Sequence, residues 1–172
     1  MIDLPQRKKI RIPGFNYNTP NVYFITICTK DRMNLFWKRR ENIPNVGADI
    51  IRPQETHEYK LSHIGEIIEA SINQISQHYL NVSVDNYCVM PNHIHLLVSL
   101  LSDENGRIIS APTSISTIIG QMKRWASKET GFPIWQKSFY EHIIRNEKDY
   151  LTHWEYIENN PIKWETDDYY VN

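Results

Sequence analysis

The sequence predicts one α+β domain of ferredoxin-like type, in which helices pack on an antiparallel sheet. Its strand-like and helix-like segments follow in the order strand, helix, strand, strand, helix, strand, helix. That order is a split β-α-β arrangement with one helix added at the carboxyl end. A chain of 172 residues with 41% hydrophobic residues can bury one sizeable core and is short for two. We therefore expect residues 1–172 to form a single domain.

The amino-terminal part of the chain combines a basic arm, a strand and an irregular segment. Residues 1–21 form the arm, in which four basic residues precede a turn-prone Pro-Gly pair. The run VYFITICT, at 22–29, has the β-branched and aromatic composition of a buried central strand. Residues 38–60 mix proline, glycine and charged residues without a clear period. We expect a loop or insertion there, and the least ordered part of the chain.

The middle of the chain predicts a helix followed by a β-hairpin. In LSHIGEIIEASINQISQHYL, at 61–80, the isoleucines recur at spacings of three and four residues. This pattern predicts an amphipathic helix, with Ser62 as its N-cap. The strand-like runs VSVDNYCVM, at 82–90, and HIHLLVSLL, at 93–101, are separated only by a Pro-Asn pair. So short a connection predicts a tight hairpin.

The carboxyl-terminal part predicts two helices with a strand between them. SISTIIGQMKRWASKE, at 114–129, has a second apolar stripe of helical period. SFYEHIIR, at 138–145, is typical of a strand. EKDYLTHWEYIENN, at 147–160, predicts a final helix that Asn146 caps and Pro161 ends.

Charge is distributed unevenly along the chain, although the formal net charge is only −1. Residues 1–60 hold eleven lysines and arginines against six acidic residues, and the remainder holds eight against fourteen. Such an asymmetry indicates either an anionic partner held by the first part or ordinary solvated charge. The near-neutral total argues against indiscriminate coating of nucleic acid.

The cysteines and the apolar runs bound the class of protein. Cys28 and Cys88 lie inside strand-like runs and form no CxxC pattern, which predicts small buried side chains rather than a zinc knuckle or a disulfide framework. No apolar run has the length of a signal peptide core or of a membrane span. We expect a soluble, cytoplasmic protein.

Two histidines interrupt the apolar run YCVMPNHIHLLVSL. Side chains alternate across a strand, so His93 and His95 share one face while Ile94 and its alternate neighbours face the core. Two imidazoles so placed can converge on one divalent cation, or they can be a pair of half-exposed surface residues. The neighbours match neither an HxHxD metallohydrolase, which needs an acid where Leu97 stands, nor an HExxH zincin.

The final predicted helix offers polar groups that core packing does not explain. Its apolar stripe consists of Tyr150, Leu151, Trp154 and Ile157. At about 100° per residue, Tyr156 falls on the opposite side and Asn160 lies one turn beyond it. Tyr156 can equally be an ordinary surface tyrosine, and Asn160 an ordinary residue at the helix end.

Four segments together closely resemble one protein family, the REP-associated tyrosine transposases. They are MPNHIHLLV at 90–98, WQKSFYEHIIRNEKDY at 135–150, YIENNPIKW at 156–164 and IRIPGFNYNTPNVYFITICTKDR at 10–32. Members of this family are single-tyrosine HUH-type enzymes related to the transposases of insertion sequences that move as single-stranded DNA. The resemblance covers nearly the whole chain and is weakest at 38–60.

The resemblance implies the HUH endonuclease fold and assigns roles to four residues. His93 and His95 match the family's metal-binding histidines, Tyr156 matches its nucleophile, and Asn160 matches the polar residue that serves as third metal ligand. The implied cofactor is Mg²⁺ or Mn²⁺, although two imidazoles and an amide oxygen would also accept Zn²⁺, Co²⁺ or Ni²⁺. The last helix is then expected to pack against the histidine face of the sheet.

The implied partner is single-stranded or hairpin DNA, in particular repetitive palindromic elements. In the family, basic amino-terminal regions help to hold the hairpin. Candidate phosphate contacts are Arg7, Lys8, Lys9, Arg11, Lys123, Arg124 and Lys128. Each of them can equally be a solvated surface charge. The resemblance favours a monomer and leaves a dimer open.

Three functions are consistent with these residues. The first is a metal-dependent endonuclease and strand transferase that cleaves single-stranded DNA near hairpins through a 5′-phosphotyrosine. The second is a domesticated hairpin-binding protein with little or no cleavage activity, which would tolerate loss of Tyr156 or of a metal ligand. The third is a metal-dependent hydrolase of small phosphoesters, which would make no use of Tyr156. Because all four matching residues are present, we favour the first.

Overall fold

The computed structural model of the protein describes residues 21–40, 59–101 and 114–170. Its main sheet has four antiparallel strands: β1 (Asn21–Cys28), β4 (Val82–Val89), β5 (His93–Leu100) and β6 (Tyr140–Ile143). Their order across the sheet is β4-β5-β1-β6. Strands that follow each other across a helix are thus separated by a third strand, as a split β-α-β unit requires. The ferredoxin-like α+β fold is confirmed.

Three helices begin at residues whose side chains cap them. They are α1 (His63–His78), α2 (Ile115–Thr130) and α3 (Glu147–Asn159). Ser62, Ser114 and Asn146 each accept a hydrogen bond from the backbone nitrogen three residues later, which satisfies a donor that the first turn leaves free. The predicted caps Ser62 and Asn146 are confirmed. A left-handed glycine, Gly131, follows α2 and accounts for its abrupt end.

A short two-stranded ribbon flanks the segment that the sequence marks as irregular. Its strands are β2 (Trp37–Arg39) and β3 (Tyr59–Leu61). Both are too short for a periodic pattern, so the sequence did not predict them. Most of the expected loop at 38–60 lies outside the described residues, as do residues 1–20 of the basic arm that was predicted at 1–21.

The two faces of the main sheet pack against different helices. Ile25, Ile94 and Leu96 belong to a large apolar cluster that also holds the inward residues of α1 and α2. The alternate residues Phe24 and Leu97 belong to a smaller apolar cluster, which also holds residues of α3. Since side chains alternate across strands, α3 covers the face opposite to α1 and α2. Within the described residues, no helix is both long enough and apolar enough to cross a membrane.

One part of the predicted packing of α3 is wrong. Ile157 does belong to the smaller apolar cluster, and Tyr150 and Trp154 pack against it. Leu151, which the sequence assigned to the same stripe, is 51% exposed. The helix instead turns a more polar stripe toward the sheet, because the sheet presents histidines there. That stripe contains the candidate site.

Candidate active site

His93 and His95 lie on β5, in the middle of the sheet and on the face covered by α3. Their ring centroids are 4.6 Å apart, and both side chains are buried. Strand pairing places Thr26 of β1 and Cys88 of β4 on either side of His95. The prediction that both rings share a face is confirmed, and a half-exposed surface pair is excluded by their burial.

Asn92, just before the strand, determines which nitrogen of His93 is protonated. The Asn92 amide nitrogen donates to the carbonyl oxygens of Tyr169, at 2.8 Å, and Arg32, at 3.3 Å. Carbonyls only accept, so the amide oxygen must be the atom that lies 2.8 Å from His93 Nδ1. His93 Nδ1 therefore carries the proton and Nε2 carries a lone pair. A metal-binding histidine is oriented in this way by the partner of its other nitrogen.

The two Nε2 atoms face each other at 3.0 Å. His95 Nε2 can donate to His93 Nε2, or both can present lone pairs to a cation. The Thr26 hydroxyl, 2.8 Å from His95 Nδ1, suits either state because a hydroxyl both donates and accepts. Two nitrogens about 2.1 Å from one ion, at about a right angle, would lie about 3.0 Å apart. The pair therefore fits a divalent cation.

Burial keeps both imidazoles neutral. Desolvation, with a smaller contribution from the charge of His153, lowers the pKa of His95 to about 3. Desolvation and the neighbouring His95 hold the pKa of His93 well below its usual value. Because the neutral ring is the form that binds metal, both side chains can act as ligands at neutral pH.

Helix α3 brings Tyr156 against this histidine pair. Its ring meets His95 edge-on, with centroids 5.1 Å apart, and meets Phe24 at 5.9 Å. The side chain remains 42% exposed, so solvent or a substrate can reach it. Desolvation and the charge of Asp167 raise the pKa of Tyr156 to about 12, against the opposing effect of the Asn160 amide. The phenol is therefore protonated at neutral pH.

Asn160 continues the helical geometry of α3 and is buried. Its backbone lies in the right-handed helical region, which places its side chain one turn beyond Tyr156. The adjoining Pro161 begins a 3₁₀ helix that extends to Thr166. The buried Asn160 side-chain nitrogen has no hydrogen-bond partner among the described residues. An unpaired buried N–H donor is unusual. Because this nitrogen can only donate, a cation could be bound by the amide oxygen of Asn160 and not by its nitrogen.

Asp167 is a further candidate ligand, which the sequence did not predict. Its carboxylate and the ligand nitrogens of His93 and His95 lie within 4.8 Å of one another. Desolvation raises the pKa of Asp167, while the backbone N–H of Tyr169, which donates to its carboxylate at 2.7 Å, lowers it. The side chain arrives after the 3₁₀ helix, where no periodic pattern indicates direction. The acidic pair DD at 167–168 is the only sequence signal that could have suggested it.

The functional side chains of α3 form a single stripe. The stripe consists of Asp149, His153, Tyr156 and Asn160. Their spacings of four, three and four residues place them on one helix face. His153 contacts Phe24, with ring centroids 4.5 Å apart, beside the contact between Phe24 and Tyr156. The sequence analysis identified only the last two members, although the spacing would have revealed all four.

A cleft of about 420 Å³ opens beside Tyr156. It is lined by side chains of α3 and of the segment after it, including Tyr156, Asn160, Lys163, Asp167 and Asp168. Lys163 is the one basic residue among the described residues of this lining. The cleft is thus largely acidic, so a bound phosphate would need a cation for charge compensation.

The predicted DNA contacts that the structure describes do not lie at this cleft. Arg7, Lys8, Lys9 and Arg11 lie outside the described residues. Lys123, Arg124 and Lys128 lie on α2, which packs on the other face of the sheet. Lys123 Nζ donates to the carbonyl of Gln136 at 2.7 Å, and desolvation lowers its pKa. It therefore has a structural partner, whereas Arg124 and Lys128 are exposed.

Comparison with known proteins agrees with the geometry. Residues 21–160 match the family model described as IS200-like transposase. An uncharacterized protein of Haemophilus influenzae is 33% identical, over 96% of this chain and 94% of its own. A REP-associated tyrosine transposase of Escherichia coli is 32% identical, over 46% of this chain and 44% of its own.

A solved structure supports the fold assignment. It is the structure of a REP-associated tyrosine transposase bound to a REP hairpin, with a TM-score of 0.61 and 21% identity. The match covers 89% of this chain and 73% of that one. The resemblance seen in the sequence motifs is confirmed by the family model and by the named relatives. The chain belongs to the IS200-like transposase family and is a transposase-type enzyme.

Proposed function

We propose that the protein is a metal-dependent endonuclease and strand transferase, which cleaves single-stranded DNA near hairpins with Tyr156 as nucleophile. The observation that carries the proposal is the contact between the Tyr156 ring and His95, at 5.1 Å. It brings a reactive hydroxyl-bearing residue against a pair of neutral imidazoles. A hydrolase of small phosphoesters would have no use for a tyrosine in that position.

His93 Nε2, His95 Nε2 and the Asn160 amide oxygen would hold the cation, and Asp167 is close enough to join them. Such an ion would fit the site because His93 presents a lone pair and the ligand atoms of His93, His95 and Asp167 lie within 4.8 Å of one another. When bound, Mg²⁺ or Mn²⁺ would act as a Lewis acid that offsets the charge developing on the scissile phosphate. Amide and carboxylate oxygens beside two imidazoles leave Mn²⁺ the better match of the two.

Tyr156 would carry out the covalent step. Its hydroxyl oxygen bonds to the scissile phosphorus as the bond from phosphorus to the 3′ oxygen breaks. The phenolic proton is lost and the departing 3′ oxygen gains one, so the products are a 5′-phosphotyrosine and a free 3′-hydroxyl. The phosphodiester energy is conserved in the new bond. A 3′-hydroxyl can later attack it and rejoin strands without a nucleoside triphosphate.

The proposed DNA partner is a hairpin with an adjoining single strand. The related protein of known structure is bound to a REP hairpin, and basic residues are concentrated in the first part of this chain. Phosphate contacts from the basic arm would position the hairpin. The acidic cleft beside Tyr156 would then admit only the strand segment whose charge the cation compensates. We propose that one chain suffices for this site.

The test is formation of a covalent protein–DNA adduct. The protein is incubated with Mn²⁺ or Mg²⁺ and with hairpin oligonucleotides from the flanks of its own gene, and a denaturing gel is examined for a slower band. We expect the band with the wild-type protein and its complete loss in Tyr156→Phe. Hairpin binding, measured separately by fluorescence anisotropy, should be retained in that variant.

Two tyrosines provide matched controls for this test. Tyr169 also lies beside the site, with its ring 4.6 Å from that of His93, and Tyr150 occupies the neighbouring stripe of α3. Tyr169→Phe and Tyr150→Phe should still form the adduct. An adduct that survives in Tyr156→Phe and disappears in either control would show that the nucleophile is misassigned. Binding without any adduct in the wild-type protein would favour a hairpin-binding function instead.

A further inference from the structure

A second group of metal-binding side chains lies on the same face of the sheet, outside the proposed catalytic site. It consists of His142 on β6 with Asp149 and His153 on α3, and it is called the second cluster below. Each residue offers a ligand atom, and these atoms lie within 4.8 Å of one another. None of the three is required by the proposed transfer reaction.

The distances within the second cluster are those of ligands that share an ion. His142 Nε2 lies 3.0 Å and 3.2 Å from the two carboxylate oxygens of Asp149. His153 Nδ1 lies 3.2 Å from Asp149 Oδ1 and 2.8 Å from the backbone carbonyl oxygen of Asp149, to which it donates a hydrogen bond that a bound cation would replace. Two ligands about 2.1 Å from one cation are separated by about 3.0 Å at a right angle and by about 3.4 Å in a tetrahedron. Hydrogen bonds span similar distances, so without a cation the group is held by shared protons.

Neighbouring groups hold the three side chains in place. The backbone nitrogen of Arg145 donates to Asp149 at 2.9 Å. The rings of His142 and His153 stack with centroids 4.8 Å apart, and Phe24 packs on the other side of His153. Desolvation opposes ionisation of Asp149, but hydrogen bonds from His142 and Arg145 lower its pKa overall. The carboxylate is therefore ionised at neutral pH and fixed in position.

Access differs from that at the buried histidine pair. The side chains of His142, Asp149 and His153 are 29%, 20% and 21% exposed. A hydrated ion can reach them, while most of each side chain is shielded from solvent. Two imidazoles and one carboxylate also leave coordination positions for water.

We propose that the second cluster binds one first-row divalent cation of the Zn²⁺ class, independently of the catalytic cation. Two nitrogen donors and one oxygen donor prefer Zn²⁺, Co²⁺ or Ni²⁺ to Mg²⁺, which takes oxygen ligands and retains its water. The ion would join β6 to the first turns of α3. It would thereby stabilise the helix that carries Tyr156, without touching the reacting atoms.

The test isolates the second cluster by removing the first site. In the full-length His93→Ala, His95→Ala double variant, Zn²⁺ binding is measured by equilibrium dialysis and Co²⁺ binding by its visible absorption. We expect one equivalent of either ion to remain bound. Adding Asp149→Asn, which keeps an oxygen acceptor for Arg145, should weaken binding by more than about 100-fold, beyond the usual effect of losing an outer-shell partner.

His142→Gln provides a second ligand variant should Asp149→Asn fold poorly, and it should weaken binding to a similar extent. The control is His63→Gln, because the His63 side chain is 86% exposed and lies on α1. It should leave the retained equivalent unchanged. Absence of a bound equivalent in the double variant would overturn the proposal. So would an equivalent that survives both Asp149→Asn and His142→Gln, since it would be an adventitious ion only.

Discussion

The two histidine clusters of this protein use the same side chains in opposite ways. In the pair His93 and His95, each Nδ1 is bonded to a neutral side chain and the two Nε2 atoms face each other. In the second cluster, the Asp149 carboxylate is the hydrogen-bond partner of His142, and His153 Nδ1 donates to the backbone carbonyl oxygen of Asp149. The first pair is buried, and the second cluster is partly exposed. Phe24 contacts both groups: its ring stacks on His95 with centroids 5.2 Å apart and is tilted against His153 with centroids 4.5 Å apart.

The hydrogen-bond partners of a histidine ring, rather than the presence of a histidine, therefore determine what the ring can do in each cluster. Neutral partners on the outer nitrogens of His93 and His95 leave the inner lone pairs free for a cation, and Tyr156 packs against this pair. The carboxylate near the pair, that of Asp167, comes from a separate segment of the chain. In the second cluster, the carboxylate of Asp149 is itself the hydrogen-bond partner of a histidine. We therefore assign chemistry to the first pair and structural metal binding to the second cluster.

The largest expected effect is on the rate of adduct formation, when the first histidine pair is removed and compared with removal of the second cluster. His93→Ala with His95→Ala should lower the rate of adduct formation by about 10³-fold or more, since even one electrostatic group at a transition state is worth about 10² to 10³. His142→Gln with Asp149→Asn should retain most of the rate. Single-turnover cleavage of a hairpin oligonucleotide in Mn²⁺ measures both. Equal losses in the two double variants would remove the functional distinction between the clusters.

A smaller effect is expected at Asn92, which orients the first pair. Asn92→Ala removes the acceptor that holds the proton on His93 Nδ1. We expect about 10- to 100-fold weaker Mn²⁺ binding at the first pair, the usual effect of losing an outer-shell partner. Titration calorimetry in the Asp149→Asn background would measure it. Asn86→Ala is the control, because the Asn86 side chain donates to Glu158 at the surface. The affinity of this variant for Mn²⁺ should be unchanged.

The burial of the first pair should also make stability depend on pH. The pKa of His95 is about 3 in the folded protein, against about 6.5 for an ordinary histidine, so the unfolded chain takes up the proton first. The stability this residue contributes is present above about pH 6.5 and is lost as the pH falls toward 3. The free energy of unfolding should decline by about 1.4 kcal/mol per pH unit in that window. Denaturant titrations should show a shallower decline in His95→Gln, and an unchanged decline would refute the neutral buried state.

The smallest effect is expected on the free energy of unfolding of the protein when Asp149 of the second cluster is replaced in the absence of metal. Asp149→Asn loses the partly exposed contact of a carboxylate with His142 but keeps an acceptor for the backbone N–H of Arg145. We expect the free energy of unfolding to fall by at most about 1 kcal/mol in the presence of a chelator. In Zn²⁺, the gap between wild type and variant should widen, because only the wild type gains the stability that binding provides. Thermal melts with and without Zn²⁺ would measure the difference.

Periodic patterns in the sequence predicted the three helices and the four strands of the main sheet. They also predicted that His93 and His95 share one face of a strand. The isoleucine spacing of α1 and the alternation around His93 and His95 each identify a face, because regular backbone determines direction. Asn160 was predicted from the helical spacing after Tyr156 together with the family resemblance. The role of these residues in catalysis remains a prediction.

Other parts of the site could not be read from the sequence. Asp167 follows an irregular segment, and β2 and β3 are three residues each, too short for a period. Leu151 was expected to face the sheet but is 51% exposed, and α3 instead places His153 against Phe24 and Tyr156 against His95. Only the three-dimensional placement of the histidines makes the stripe containing Asp149 and His153 favourable there.

The central claim is that Tyr156, at the first histidine pair, forms the bond to DNA. The most direct measurement is to digest the covalent adduct with protease and nuclease and to locate the residual nucleotide by tandem mass spectrometry. We expect a 5′-phosphonucleotide on Tyr156 in the wild-type protein. We expect no modified Tyr156 when His93 and His95 are both replaced by alanine. A nucleotide found on Tyr169, Tyr150 or Tyr140, with Tyr156 unmodified, would contradict it.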